Sequence, residues 1–84
     1  SPSIRSQIEK LGYVGKWRQN SDGTLFVTEN GNLLFDLFFD APLPYPEETH
    51  DLLRRIPGVI DTGFFFNLAG RVIVGHSDGT ITVK

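Results

Sequence analysis

The stretch that decides the fold is Val27-Thr28-Glu29-Asn30-Gly31-Asn32-Leu33-Leu34-Phe35-Asp36-Leu37-Phe38-Phe39. Asn30-Gly31 stands between two runs of strand formers. That dipeptide is the strongest short-range hairpin signal, because a type I′ turn needs positive φ at both central residues. The spacing predicts a strand over Thr24–Thr28, a turn at Asn30-Gly31, and a return strand over Leu33–Phe39.

Upstream, Asn20-Ser21-Asp22-Gly23 is a dense turn signal, and Gly15–Gln19 reads as a short strand before it. Ile4, Ile8 and Leu11 are spaced i, i+4, i+7, which places them on one face of a helix over Pro2–Leu11. Ser1 or Ser3 can cap its start, and Gly12 can close it in a left-handed conformation. Downstream, Pro42, Pro44 and Pro46 mark a loop. Pro46 then suits the first position of a second helix, with Glu47 and Glu48 in the turn where the helix dipole favours anions. Leu52, Leu53 and Ile56 give that helix its apolar face, and Pro57-Gly58 stops it. Three more strands follow, at Val59–Phe66, Arg71–Gly75 and Ile81–Lys84, joined by turns at Asn67–Gly70 and Ser77–Thr80. The order α, β, β, β, α, β, β, β predicts a two-layer α+β sandwich, with two helices on one face of an antiparallel sheet. Its expected core is Ile4, Ile8, Leu11, Leu52, Leu53 and Ile56, met by alternate residues of the Phe-rich strands.

Eighty-four residues make one domain at most. The hydrophobic share, 39%, is enough for a folded core, which excludes a disordered tail. The net charge of −2 and the scattered Lys and Arg predict no nucleic-acid partner. No apolar run reaches the length of a membrane span, so no membrane role is expected. Without cysteine, neither disulfides nor a thiolate metal site can hold the fold, which fits a cytoplasmic protein. Ser1 stands where a natural chain has Met, which reads as a cut by cloning or proteolysis.

Candidates for chemistry are few. His50 falls in the polar part of the second helix and His76 beside a turn; both read as solvated side chains rather than as bases or ligands. The carboxylates Asp36, Asp40, Asp61 and Asp78 could pair for acid–base work; Asp36 and Asp61 lie within strands. Asp78-Gly79 is turn chemistry. The nine glycines are spread along the chain, with no Gly-rich loop opening a helix, so no phosphate cradle is visible. Consecutive phenylalanines at Phe38-Phe39 and Phe64-Phe65-Phe66 must point to opposite faces of their strands. One face of the sheet is then greasy and available to a partner. Stacking on nucleic-acid bases is the weaker alternative, since only Arg71 is close to the second run.

Several of these segments, in this order, resemble type A ribose-5-phosphate isomerases. Val27–Asn32, followed by an apolar strand bearing Asp36, is similar to that family's "VTDNGN…LD" hairpin. Ile56-Pro57-Gly58-Val59-Ile60-Asp61-Thr62-Gly63-Phe64-Phe65 is similar to its "IPGVVETGLF". Ala69, Val72–Gly75 and Asp78-Gly79 resemble its "AD-VLVG-DG" ending, and Leu11-Gly12 its first helix end. Glu29 departs from the usual Asp, and Gly70-Arg71 replaces the usual Asp after Ala69, which puts local turn geometry in question.

The resemblance implies a ferredoxin-like domain that lacks its first strand and so leaves an unpaired edge. Residues 1–84 would be the C-terminal small domain, with 71–84 as a tail returning to an N-terminal Rossmann-like domain. It further implies interconversion of ribose 5-phosphate and ribulose 5-phosphate in the pentose phosphate pathway, through an enediolate and without metal or organic cofactor. The partners implied are that large domain, the sugar phosphate and further subunits of a homo-oligomer. The family's catalytic motifs precede the matched region, so no catalytic, substrate-binding or metal-binding residue carries over, and the chain alone is expected to be inactive. Two competing readings remain: a free-standing interaction module using an apolar sheet face, and a small enzyme using Asp36 or Asp61 with a histidine.

Overall fold

A computed structural model describes residues 3–65 and 68–75. The elements in chain order are α1 (Ile4–Lys10), β1 (Val14–Trp17), β2 (Asn32–Phe38), α2 (Pro46–Arg54), β3 (Val59–Phe65) and β4 (Ala69–Gly75). The four strands form one antiparallel sheet in the order β1-β2-β4-β3. This is the two-layer α+β sandwich that the sequence predicts. The expected last strand, Ile81–Lys84, lies outside the described residues, as do His76 and Asp78-Gly79.

Local chemistry fixes the helix ends. Ser3 caps α1, its Oγ accepting from the Ser6 amide at 3.1 Å, an interaction worth about 1 kcal/mol. Pro46 opens α2 where its missing N–H leaves nothing unsatisfied, and Gly58, at φ 96°, lets the chain turn from α2 into β3.

Alternation along the strands sorts the side chains. Trp17 of β1, Leu33, Phe35 and Leu37 of β2, and Val72 and Val74 of β4 point to the helices. With Ile4, Ile8, Leu53 and Ile56 they form the buried core. Trp17 meets Phe35 edge to face at 5.2 Å between ring centroids. Leu11 and Leu52 do not join it, at 39% and 38% exposed. Leu11 sits past the end of α1, and α2 lays only the stripe Thr49, Leu53, Ile56 on the sheet, spaced i, i+4, i+7. Leu52 is turned off that stripe by one residue.

The predicted hairpin forms, but not with a two-residue turn. Gly31 N–H donates to Thr28 O at 2.9 Å, and Thr28 N–H to Asn32 O at 2.9 Å. The loop is therefore Glu29-Asn30-Gly31, with Gly31 left-handed at φ 78°, the three-residue pattern of a turn closed by a glycine bulge. Thr24–Thr28 is not a full strand. It touches the sheet at two isolated bridges, Gln19 to Leu25 and Val27 to Leu33.

The first strand that the resemblance calls for would precede α1, and the sheet shows no gap among the described strands. β4 turns back from β3 and pairs with β2 along seven residues, from Asn32–Gly75 to Phe38–Ala69. Arg71–Gly75 thus lie in the middle of this sheet. Its edges are β1, four residues long, and β3, which carries a register irregularity between Val59 and Asp61.

Candidate functional site

The strand register decides what the two faces of the sheet can do. On the helix side, His50 of α2 is half-buried and reaches across to β3, where its Nδ1 is hydrogen-bonded to Thr62 Oγ1. It is a strut between helix and sheet, not the solvated side chain the sequence suggests. One helical residue back, buried Thr49 donates from Oγ1 to Tyr45 O at 3.3 Å and accepts from the Tyr13 hydroxyl at 3.2 Å. A shallow hollow of about 380 Å³ opens beside His50, between Pro46, Glu47 and Phe64.

No helix among the described residues covers the opposite face. Asp36 stands at its centre and takes two hydrogen bonds from Arg18, from Nε at 2.9 Å and Nη2 at 3.1 Å. Arg71 Nε approaches the same carboxylate at 3.5 Å, and its guanidinium lies 5.3 Å from the Phe65 ring centroid. Cross-strand partners on one face are neighbours, and the register aligns Lys16, Asp36, Arg71 and Gly63 in one row. The adjacent row is Val14, Phe38, Ala69 and Phe65. Val14 is 67% exposed, Phe38 50% and Phe65 44%. The two faces that the phenylalanine pairs predict are both present: Phe39 and Phe64 pack on the core, while Phe38 and Phe65 face outward.

Asp61 does not join this cluster. It is exposed, and its carboxylate accepts from the Thr62 amide at 2.9 Å. Asp36 and His50 lie on opposite faces of the sheet, so they cannot act on one substrate atom. Asp22 has a carboxyl held below its ordinary value, first by the Thr24 hydroxyl at 2.6 Å and then by the Thr24 amide at 3.0 Å. That is turn chemistry at an exposed loop. Among the described residues no group of His, Asp or Glu could hold a metal ion, and no helix is long and apolar enough to cross a membrane.

A family model described as ribose 5-phosphate isomerase A (phosphoriboisomerase A) matches residues 1–79. This chain belongs to the ribose 5-phosphate isomerase A family. Curated relatives agree. Ribose-5-phosphate isomerase A of Protochlamydia amoebophila is 45% identical over 80 residues, covering 92% of this chain and 34% of the relative. That of Chlamydia muridarum is 40% identical over 82 residues, covering 98% and 34%. That of Lactobacillus johnsonii is 40% identical over 78 residues, covering 93% and 33%. The chain spans about a third of the length of the curated relatives it matches. No solved structure matches.

The site residues that sequence reasoning missed are Arg18 and Lys16. Their signal was the register: Lys16 on β1 and Arg18 just past its end are evenly spaced, which puts them on the face of Asp36 once β1 pairs with β2.

Proposed function

We propose that this chain is the non-catalytic α+β domain of a ribose 5-phosphate isomerase, flanking a cleft whose acid–base groups lie in an N-terminal Rossmann-like domain, in the cytoplasm. The whole protein interconverts ribose 5-phosphate and ribulose 5-phosphate. The family match over residues 1–79 supports the assignment. One structural observation supports the division of labour: among the described residues, the candidates Asp36, His50 and Asp61 each already have a structural partner. Asp36 binds Arg18 and Arg71, His50 binds Thr62, and Asp61 binds the next amide. A general base needs a free lone pair aimed at a substrate proton, and these groups point at separate places. The segment that returns to the large domain begins, in this reading, after Gly75, because Arg71–Gly75 are held in the sheet on both sides. The domain also supplies subunit contacts.

The test is to incubate the chain with ribose 5-phosphate and follow ketose formation. No turnover above buffer is expected. Turnover that disappears in Asp36→Asn or His50→Ala would overturn the reading and revive a small independent enzyme.

The outward row of Val14, Phe38 and Phe65 favours a second reading, an interaction module that binds a partner through the open sheet face. The same assay does not distinguish it from the first; sedimentation of this chain mixed with the remaining two thirds of a ribose 5-phosphate isomerase does, since the first reading expects a complex and the second expects none.

A further inference from the structure

We infer that the outer edge of β1 receives an extended acidic peptide as a fifth strand of the sheet, with its carboxylates beside Lys16 and Arg18. The partner is a segment of another protein that carries acidic residues at alternate positions.

The hydrogen bonds around β1 leave that edge open. Successive residues of an antiparallel strand turn their N–H and C=O groups to alternate sides. Arg18 N–H donates to Leu34 O at 2.8 Å, and Phe26 N–H donates to Arg18 O at 3.0 Å. Asn20 N–H donates to Thr24 O at 2.7 Å. Arg18 and Asn20 therefore face inward, and so does Lys16, which pairs with Asp36 two residues earlier. Gly15, Trp17 and Gln19 face outward. β1 stands at the end of the strand order, and no described strand lies beyond it. Three outward donor–acceptor pairs in a row match a strand placed about 4.8 Å away.

The chemistry beside the edge selects the occupant. A hollow of about 470 Å³ opens there, lined by Arg5, Lys16, Arg18, Gln19 and Asn20 around the edge of Trp17. Asp36 is its one carboxylate, in a chain whose net charge is −2. That carboxylate is shared between Arg18 and Arg71. Lys16 is exposed and has no partner among the described residues. Arg5 meets the exposed Glu9 at 3.4 Å, a weak surface pair. Side chains of an added strand stand beside those of β1 on the same face, with Cβ atoms about 5 Å apart. An antiparallel strand of pattern Glu-x-Glu-x-Val sets a carboxylate beside Arg18, a second beside Lys16, and an apolar side chain beside Val14, which is 67% exposed.

Other occupants fit less well. Pairing β1 with the β1 of a second copy sets Lys16 against Arg18, or each against itself, according to register. Like charges directly opposite are destabilising. Cations on a bare edge are a common guard against such pairing, and here the same cations leave the edge selective for an acidic strand. The outward groups donate and accept in alternation. A peptide backbone answers both, whereas a polyphosphate only accepts.

The probe is a fluorescein-labelled peptide, Thr-Glu-Val-Glu-Thr-Val-Thr with blocked ends, titrated into the chain and followed by anisotropy and by amide hydrogen exchange. Saturable binding that weakens with salt is expected. In the free chain the Lys16 and Arg18 amides should exchange slowly and those of Gly15, Trp17 and Gln19 fast; the peptide should slow the last three. Methylating the amide nitrogen of the valine between the glutamates, which faces Trp17, should abolish binding. Methylating that of the second glutamate, which faces away, should not. Lys16→Glu is expected to weaken binding about tenfold, while the near-ultraviolet signal of Trp17, the single tryptophan, reports an unchanged fold. A peptide with lysines in place of both glutamates should then bind the Lys16→Glu variant better than it binds the parent. No binding up to about 1 mM peptide overturns the inference. So does binding that leaves the Gly15, Trp17 and Gln19 amides unprotected, or that ignores which nitrogen is methylated, since that is charge attraction without a strand. Slow exchange of those three amides in the free chain would show an edge already occupied and overturns it too. Ribose 5-phosphate turnover enters none of these readouts, so the isomerase assignment stands or falls separately.

Discussion

Arg18 holds Asp36 with two guanidinium nitrogens, at 2.9 and 3.1 Å, across the β1–β2 pair. This paired geometry is the stronger form of an Arg–carboxylate contact. It ties the end of the short edge strand β1 to the centre of the sheet.

Asp36→Asn keeps the shape but removes the charge, leaving Arg18 and Arg71 beside a neutral amide. Arg18 is part-exposed, so solvent screening discounts the loss. A destabilisation of about 1 kcal/mol is expected, read as a lower urea midpoint with an unchanged slope. A variant as stable as the parent would show that the ion cluster contributes nothing.

Neighbouring leucines on α2 separate core from surface. Leu53 is fully buried and Leu52 is not. Leu53→Ala should destabilise the chain by about 2–5 kcal/mol through transfer loss and a cavity. Leu52→Ala should change stability by less than about 1 kcal/mol. Equal effects in thermal or urea unfolding would contradict the placement of α2.

Gly15 has no room for a side chain. A Cβ there would lie 2.2 Å from the Asp36 carbonyl oxygen and 2.7 Å from the Phe35 ring. The backbone cannot yield without breaking the β1–β2 pairing. Gly15→Ala should therefore destabilise the chain by about 1–3 kcal/mol. Gly23→Ala is the comparison: its Cβ meets open space, and only its positive φ opposes the change.

Acid should loosen the Asn20–Gly23 turn before the core. The Thr24 hydroxyl and amide bind the ionised Asp22 carboxyl, so its folded value lies below its unfolded one. A depressed carboxyl contributes stability above its unfolded value, about 3.9, and loses that contribution as pH falls through the folded value. In an NMR titration the Asp22 carboxyl midpoint should fall below the ordinary aspartate range, and Thr24→Val, which removes the hydroxyl but keeps the amide, should move it part of the way back. A normal midpoint in the parent chain would contradict the Asp22–Thr24 contact.

Much of this fold is legible in the sequence, and the failures have physical causes. Ile4 and Ile8, Pro46, and Asn30-Gly31 mark helices and hairpin because spacing, missing donors and turn dihedrals are local. The turn type was misread because Asn-Gly fits a two-residue I′ loop, while Thr28 offers both its backbone carbonyl and its hydroxyl to close a three-residue one. Thr24–Thr28 has strand propensity, yet only Leu25 and Val27 find bridge partners. Leu11 and Leu52 are apolar but fall off narrow helical stripes. Hardest to see were the non-local facts: that β4 would lie between β2 and β3, that His50 would reach Thr62, and that Arg18 and Arg71 would converge on Asp36. Each needs the register, which local patterns do not specify.

The most direct test of the central claim is a graft. The matching third of the Protochlamydia amoebophila ribose-5-phosphate isomerase A is replaced by this chain, and interconversion of ribose 5-phosphate and ribulose 5-phosphate is measured for the graft, for the graft carrying Asp36→Asn, and for this chain alone. The account predicts activity in both grafts, because this domain shapes the enzyme without doing its chemistry, and none in the chain alone. A soluble, folded graft without activity, or one whose activity vanishes with Asp36→Asn while its fold persists, would contradict it.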